Sequence, residues 1–205
     1  MNTLMVLGLG VVLGMQHATE ADHLAAVATL VGRERSLAQG LRHGAAWGLG
    51  HTLMLLLVAA GFGLLDWVIS PQLAGRFEQI VGAMLIALGL HLCWRTVHQP
   101  QAGHAPARAR GVPARSLLVG MVHGLAGSAA LVLLVSQTMP SAQWQIAYIA
   151  LFGAGSLLGM ALLSGAVVFS MSLTVHRLGR LHQVFNLAIA AVSMLVGMRL
   201  LLALE

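Results

Sequence analysis

The chain has 205 residues, 58% of them hydrophobic and 8% charged, with a mean hydropathy of +0.86, against about 25% charged in ordinary soluble domains. That composition excludes a soluble globular domain and implies an integral membrane protein. All eleven basic residues are arginine and lysine is absent, which excludes a P-loop nucleotide hydrolase, whose site needs its lysine. The arginines that raise the pI to about 11.4 lie between apolar segments, where they orient a membrane protein, so no nucleic-acid partner is expected. The single cysteine, Cys93, excludes an internal disulfide and a thiolate cluster.

Six segments are long and apolar enough to cross a bilayer core of about 30 Å: Thr3 to Leu30, Gly44 to Leu65, Phe77 to Val97, Leu117 to Met139, Ile146 to Met171 and Val184 to Leu204. The fold class expected is an all-α polytopic membrane protein with six transmembrane helices. Met1 to Gly14 lacks a basic n-region and no small-x-small cleavage signal follows, so the first segment is expected to persist as a span. The connector "HQPQAGHAPARARGVPARS", His98 to Ser116, is rich in proline and arginine and reads as a loop. On its side of the membrane lie Arg33, Arg35, Arg42, Arg95, Arg108, Arg110, Arg115, Arg177 and Arg180; the opposite side holds Arg76 and Arg199. This bias predicts a cytoplasmic connector and both termini on the outer, periplasmic face of the inner (plasma) membrane. Trp47, Trp67, Trp94 and Trp144 are expected at the interfaces.

The halves repeat. "LGMQHATEADHLAAVATL" from Leu13 aligns with "VGMVHGLAGSAALVLLVS" from Val119, and "GRFEQI" from Gly75 with "GRLHQV" from Gly179. Each half has three spans, an odd number, so the second half is inverted relative to the first, as in secondary transporters with sites near the midplane. Residues 1–97 form the first three-helix repeat, 98–116 the cytoplasmic linker and 117–205 the inverted second repeat.

A small residue, glycine four later and histidine three after that recur as "GVVLGMQH" (Gly10, Gly14, His17), "GAAWGLGH" (Gly44, Gly48, His51) and "SLLVGMVH" (Ser116, Gly120, His123). Such spacing places all three on one helix face, where small residues let backbones approach, within the chain or in a homo-oligomer. The counterpart of His51 in the second half is Ser156, in "FGAGSLLGM". The first stripe continues into "HATEADH", His17 to His23, which adds Glu20 and Asp22. Each carboxylate at the centre of a span costs about 2.5 to 3.5 kcal/mol on insertion scales. A bound divalent transition metal offsets that cost, and histidine and carboxylate are its ordinary ligands. At about 100° per residue, His17, Glu20, Asp22 and His23 cannot all meet on a straight helix. Either the helix opens near Gly14, or one carboxylate orients a ligating histidine; the competing explanation pairs the carboxylates with arginines at the membrane edge, such as Arg42. Cys93 is expected to pack, Met15 and Met121 to pack or make soft contacts at the seam, and His91, His98 and His104 to be solvated near the loop.

"HATEADH" resembles the His-x4-Asp-His signature of the nickel/cobalt transporter superfamily, and "GLGHTLM", Gly48 to Met54, resembles that family's second signature. "HGLAGSAAL", from His123, is similar to the short UreH-like urease-accessory branch. The resemblance spans essentially the whole chain. It implies Ni²⁺ or Co²⁺ as transported substrate, with no prosthetic group, bound by His17, Asp22, His23 and His51. Family members commonly carry Asp at the position of Glu20, and longer members have more spans and a different third signature.

The function expected is secondary transport of a divalent transition metal, Ni²⁺ or Co²⁺, through a His/Asp site in the membrane. Glu20, His123, Ser128 and Ser156 are additional or outer candidates. Two charges crossing an inside-negative potential of about 100 mV release about 4.6 kcal/mol, which suffices for uptake without nucleotide hydrolysis. The alternative is a non-transporting membrane chaperone or accessory subunit that delivers nickel to maturation partners. An intramembrane metallohydrolase is disfavoured, because His-Glu-x-x-His is absent. The protein is therefore not expected to be an enzyme.

Overall fold

Backbone polar groups in lipid must be satisfied by the protein itself, in helices or closed barrels, and apolar runs of about 20 residues suit helices. The computed structural model describes residues 3–32, 34, 36–65, 70–98, 113–125, 138–175 and 179–202, and these form seven helices and no strand. They are α1 (Thr3–His17), α2 (Ala21–Val31), α3 (Leu37–Leu65), α4 (Pro71–His98), α5 (Ala114–His123), α6 (Ala142–Val175) and α7 (Gly179–Leu202). Helices α3, α4, α6 and α7 are each long and apolar enough to cross a membrane, and α1 with α2 makes a fifth candidate span bent by 57°. The chain is thus a multi-pass membrane protein. The expected fourth span begins in α5, and most of its remainder, including Ser128, lies outside the described residues, as does His104.

The span expected from Thr3 to Leu30 is broken: the helix stops at His17 and restarts at Ala21, so the opening falls a few residues beyond Gly14. Short-range bonds close the break, with Thr19 N–H donating to the Gln16 carbonyl at 2.9 Å and Glu20 N–H to the His17 carbonyl at 3.1 Å. The Thr19 hydroxyl also donates to the Gln16 carbonyl, at 2.6 Å, offering the backbone a local alternative to the helical ladder. Glu20 then caps α2 with extended backbone, φ −62° and ψ 150°. Helix α5 ends likewise at His123, with Gly124 N–H bonded to the Gly120 carbonyl at 2.9 Å.

Helix α1 packs on α6, α3 lies between α5 and α6, α4 packs on α7, and α2 reaches α4, α6 and α7. The stripe glycines sit at these crossings, so they serve internal packing. A β-carbon at Gly14 would strike the Phe152 carbonyl of α6, and one at Gly120 would strike the Trp47 carbonyl of α3. Gly155 likewise lies against the Val11 carbonyl, and Gly50 against the Leu117 carbonyl. With little hydrophobic drive between helices in lipid, such close packing and interhelical hydrogen bonds hold the bundle. Thr52 bonds the Gly153 carbonyl at 3.1 Å, Ser156 the Gly14 carbonyl at 3.2 Å and Ser193 the Leu85 carbonyl at 2.9 Å. Large apolar side chains such as Leu57, Leu162 and Leu195 point outward, as lipid contact requires.

Candidate metal centre

The break after His17 decides the site. It separates His17, the last residue of α1, from Asp22 and His23 in the first turn of α2. Both helices then direct side chains to a common point that a straight helix forbids. His51 enters from the middle of α3 and His123 from the end of α5. The His23 ring centroid lies 4.2 Å from that of His17, 5.5 Å from His51 and 4.1 Å from His123, and the His17 and His51 centroids are 5.2 Å apart. All four rings are buried.

The carboxylates fix how these rings face. An ionised carboxylate only accepts hydrogen bonds, so each ring nitrogen beside one carries the proton. His17 Nδ1 donates to Glu20 Oε1 at 2.9 Å, His23 Nδ1 to Asp22 Oδ1 at 3.0 Å, and His123 Nε2 to Asp22 Oδ2 at 2.9 Å. The His23 backbone N–H adds a bond to Asp22 Oδ1 at 2.9 Å. The opposite ring nitrogens, His17 Nε2, His23 Nε2 and His123 Nδ1, are buried with no hydrogen-bond partner, as are both nitrogens of His51. Buried polar atoms are ordinarily satisfied, and a lone pair left bare beside a carboxylate-held N–H is the arrangement of a metal-ligating histidine.

Two groups offer three ligand atoms lying within 4.8 Å of one another: His17, His23 and His51, and Asp22, His23 and His123. The donors are imidazole and carboxylate without thiolate, which suits Ni²⁺, Co²⁺ or Zn²⁺ and not Cu⁺. Helices α1 and α5 end at this cluster, and the partial negative charge at a helix C-terminus favours a cation there.

The structure thus brings His17, Glu20, Asp22, His23, His51 and His123 together, with Glu20 half exposed and spent on His17. Among the described residues, Asp22 pairs with His23 and His123, and Glu20 with His17. Ser156 lies on α6, where its hydroxyl bonds the Gly14 carbonyl as a helix-packing contact. Met15 is 38% exposed.

Trp47 corrects the expectation of an interfacial anchor. It is fully buried, with its ring 5.4 Å from His23 and 5.6 Å from His123, and its indole N–H is without a partner. Its spacing four residues before His51 puts both on one helix face, a signal the sequence carried. The contact between His43 Nδ1 and Ser116 Oγ at 2.7 Å joins residues 73 apart and had no comparable signal. Trp94 is exposed near the end of α4.

The chain is 34% identical over 204 residues, covering 95% of its own length and 89% of the relative's, to the urease accessory protein UreH of Bacillus sp. (strain TB-90). No protein-family model and no solved structure matches it. That relative bears the name of an accessory protein and not of an enzyme. With its identity sustained from end to end, the chain belongs to the UreH family of urease accessory proteins, the urease-accessory branch of the nickel/cobalt transporter superfamily.

Proposed function

We propose that this protein is a secondary transporter of Ni²⁺, with Co²⁺ as the related substrate, which passes the ion through the histidine cluster in the inner membrane. The observation that carries this reading is the set of buried imidazole nitrogens left without partners while two carboxylates hold three of the rings from behind. His17, His23 and His51 bind the ion, Asp22 ligates or orients, and Glu20 orients His17. Urease-associated function, taken from the relative's name, points to nickel as cargo and to nickel-enzyme maturation proteins as recipients.

The proposal includes six spans in two inverted repeats, with both termini outside and the linker inside. The packing favours it. The Gly14–Phe152 and Gly120–Trp47 crossings involve positions offset by 106 and 105 residues, as do the Gly155–Val11 and Gly50–Leu117 crossings. Helix pairs α1–α6 and α3–α5 exchange under the same offset, while α3–α6 and α4–α7 map onto themselves.

Liposome reconstitution tests the function. Purified protein should carry Ni²⁺ into liposomes, and His17→Ala and Asp22→Ala should abolish flux at equal protein density. Wild-type flux from either variant refutes the proposed site. The accessory name of the relative favours a second reading, a membrane chaperone that hands nickel on without carrying it across. Binding of Ni²⁺ without flux by the chain alone would establish that reading instead.

A further inference from the structure

The two three-ligand groups are not independent, because both contain His23. In the first, His17, His23 and His51 all come from residues 1–97; in the second, Asp22 and His23 are joined by His123 from residues 117–205. Asp22 also faces both ways, with Oδ1 on His23 and Oδ2 on His123. His123 keeps Nδ1 buried and unpartnered, although its other nitrogen is already held. That bare Nδ1 can take the proton that His123 Nε2 gives up when Nε2 ligates beside Asp22.

From this geometry we infer that the protein holds two overlapping metal positions that share His23, and that the ion crosses by stepping from the His17–His23–His51 position to the Asp22–His23–His123 position. This rests on the metal-transport reading above. At the first position Asp22 orients His23; at the second it becomes a ligand itself. His23 ligates through Nε2 at the first position and through Nδ1, the edge facing Asp22, at the second, its proton moving to the nitrogen the ion leaves, so the ion passes around one ring and does not cross apolar core. Only the second position draws ligands from both residues 1–97 and residues 117–205. His123 is the ligand drawn from residues 117–205 and belongs to the second position alone.

Co²⁺ binding to the purified full-length protein, followed by X-ray absorption and by calorimetry, tests this together with flux in liposomes. His51→Ala should still bind one Co²⁺, with oxygen in its first shell. His123→Ala should still bind one Co²⁺ through nitrogen ligands, and His23→Ala should bind none. Flux should fall about 10- to 100-fold or more in all three. The more conservative His51→Asn and His123→Asn serve as second variants, with helical content and melting temperature as folding controls. If folded His123→Ala or His123→Asn retains wild-type flux, or if folded His51→Ala and His51→Asn bind no Co²⁺, the two-position inference is overturned while wild-type binding and flux leave the transport reading standing. If the wild-type protein neither binds Co²⁺ nor carries it, both fail.

Discussion

Replacing Asp22 by Asn tests the division of labour in the cluster most directly, because the side chain keeps its shape and loses its charge. The carboxylate accepts three N–H groups, from the His23 backbone at 2.9 Å, His23 Nδ1 at 3.0 Å and His123 Nε2 at 2.9 Å. An amide offers one accepting oxygen and one donating nitrogen. Its donor must meet one of the two imidazole N–H groups unless that ring moves its proton to the opposite nitrogen. If His23 does so, the proton lands on Nε2, the bare atom available to the His17–His51 group. Each hydrogen bond to a charged acceptor contributes about 1.5 to 3 kcal/mol, and losing the carboxylate behind a ligating histidine weakens metal binding about 10- to 100-fold. Asp22→Asn should therefore bind Ni²⁺ about 10- to 100-fold more weakly in calorimetric titration of purified protein, with helical content unchanged. Affinity within about twofold of wild type, in protein with an unchanged melting profile, would refute the role given to Asp22.

Other outcomes follow from the same contacts. Glu20→Gln should cost less than about fivefold in Ni²⁺ affinity, because Glu20 is half exposed and makes a single bond to His17, and exposed pairs contribute about 1 kcal/mol at most; titration of the purified variant checks this. Gly14→Ala and Gly120→Ala should each destabilise the bundle by about 1 to 3 kcal/mol or more, since the added methyl meets a backbone carbonyl that no rotamer change can move; thermal melting in detergent reads the loss. Trp47→Ala removes a fully buried ring from beside His23 and His123 and should cost about 3 to 5 kcal/mol in stability, whereas Trp47→Phe should retain the fold in the same melt. Ni²⁺ uptake by liposomes should rise with an imposed inside-negative diffusion potential, by up to about three decades of accumulation per 100 mV at equilibrium; uptake insensitive to that potential contradicts passage of the bare divalent ion.

The sequence by itself determined the membrane class and most of the candidate spans, and it singled out the histidines and carboxylates that the fold gathers, because each is a local property. Apolar length marks a span, and small residues at spacings of three and four mark a helix face. Histidine and carboxylate stand out where nearly every neighbour is apolar. Alternation of span direction is also a matter of counting, which is why an inverted repeat is expected from the sequence without any packing. Tertiary structure decided what the local code leaves open. Nothing in "HATEADH" says where the helix breaks; Thr19 and Glu20 competing for the carbonyls of Gln16 and His17 set it at residues 18–20, and the 57° bend brings the side chains of His17 and His23 together from two helices. His123 joins Asp22 across 101 residues, and Trp47 lies against the cluster instead of at the interface, because both depend on how α5 seats on α3. Such pairings arise between helices distant in the chain, where spacing within one helix carries no information.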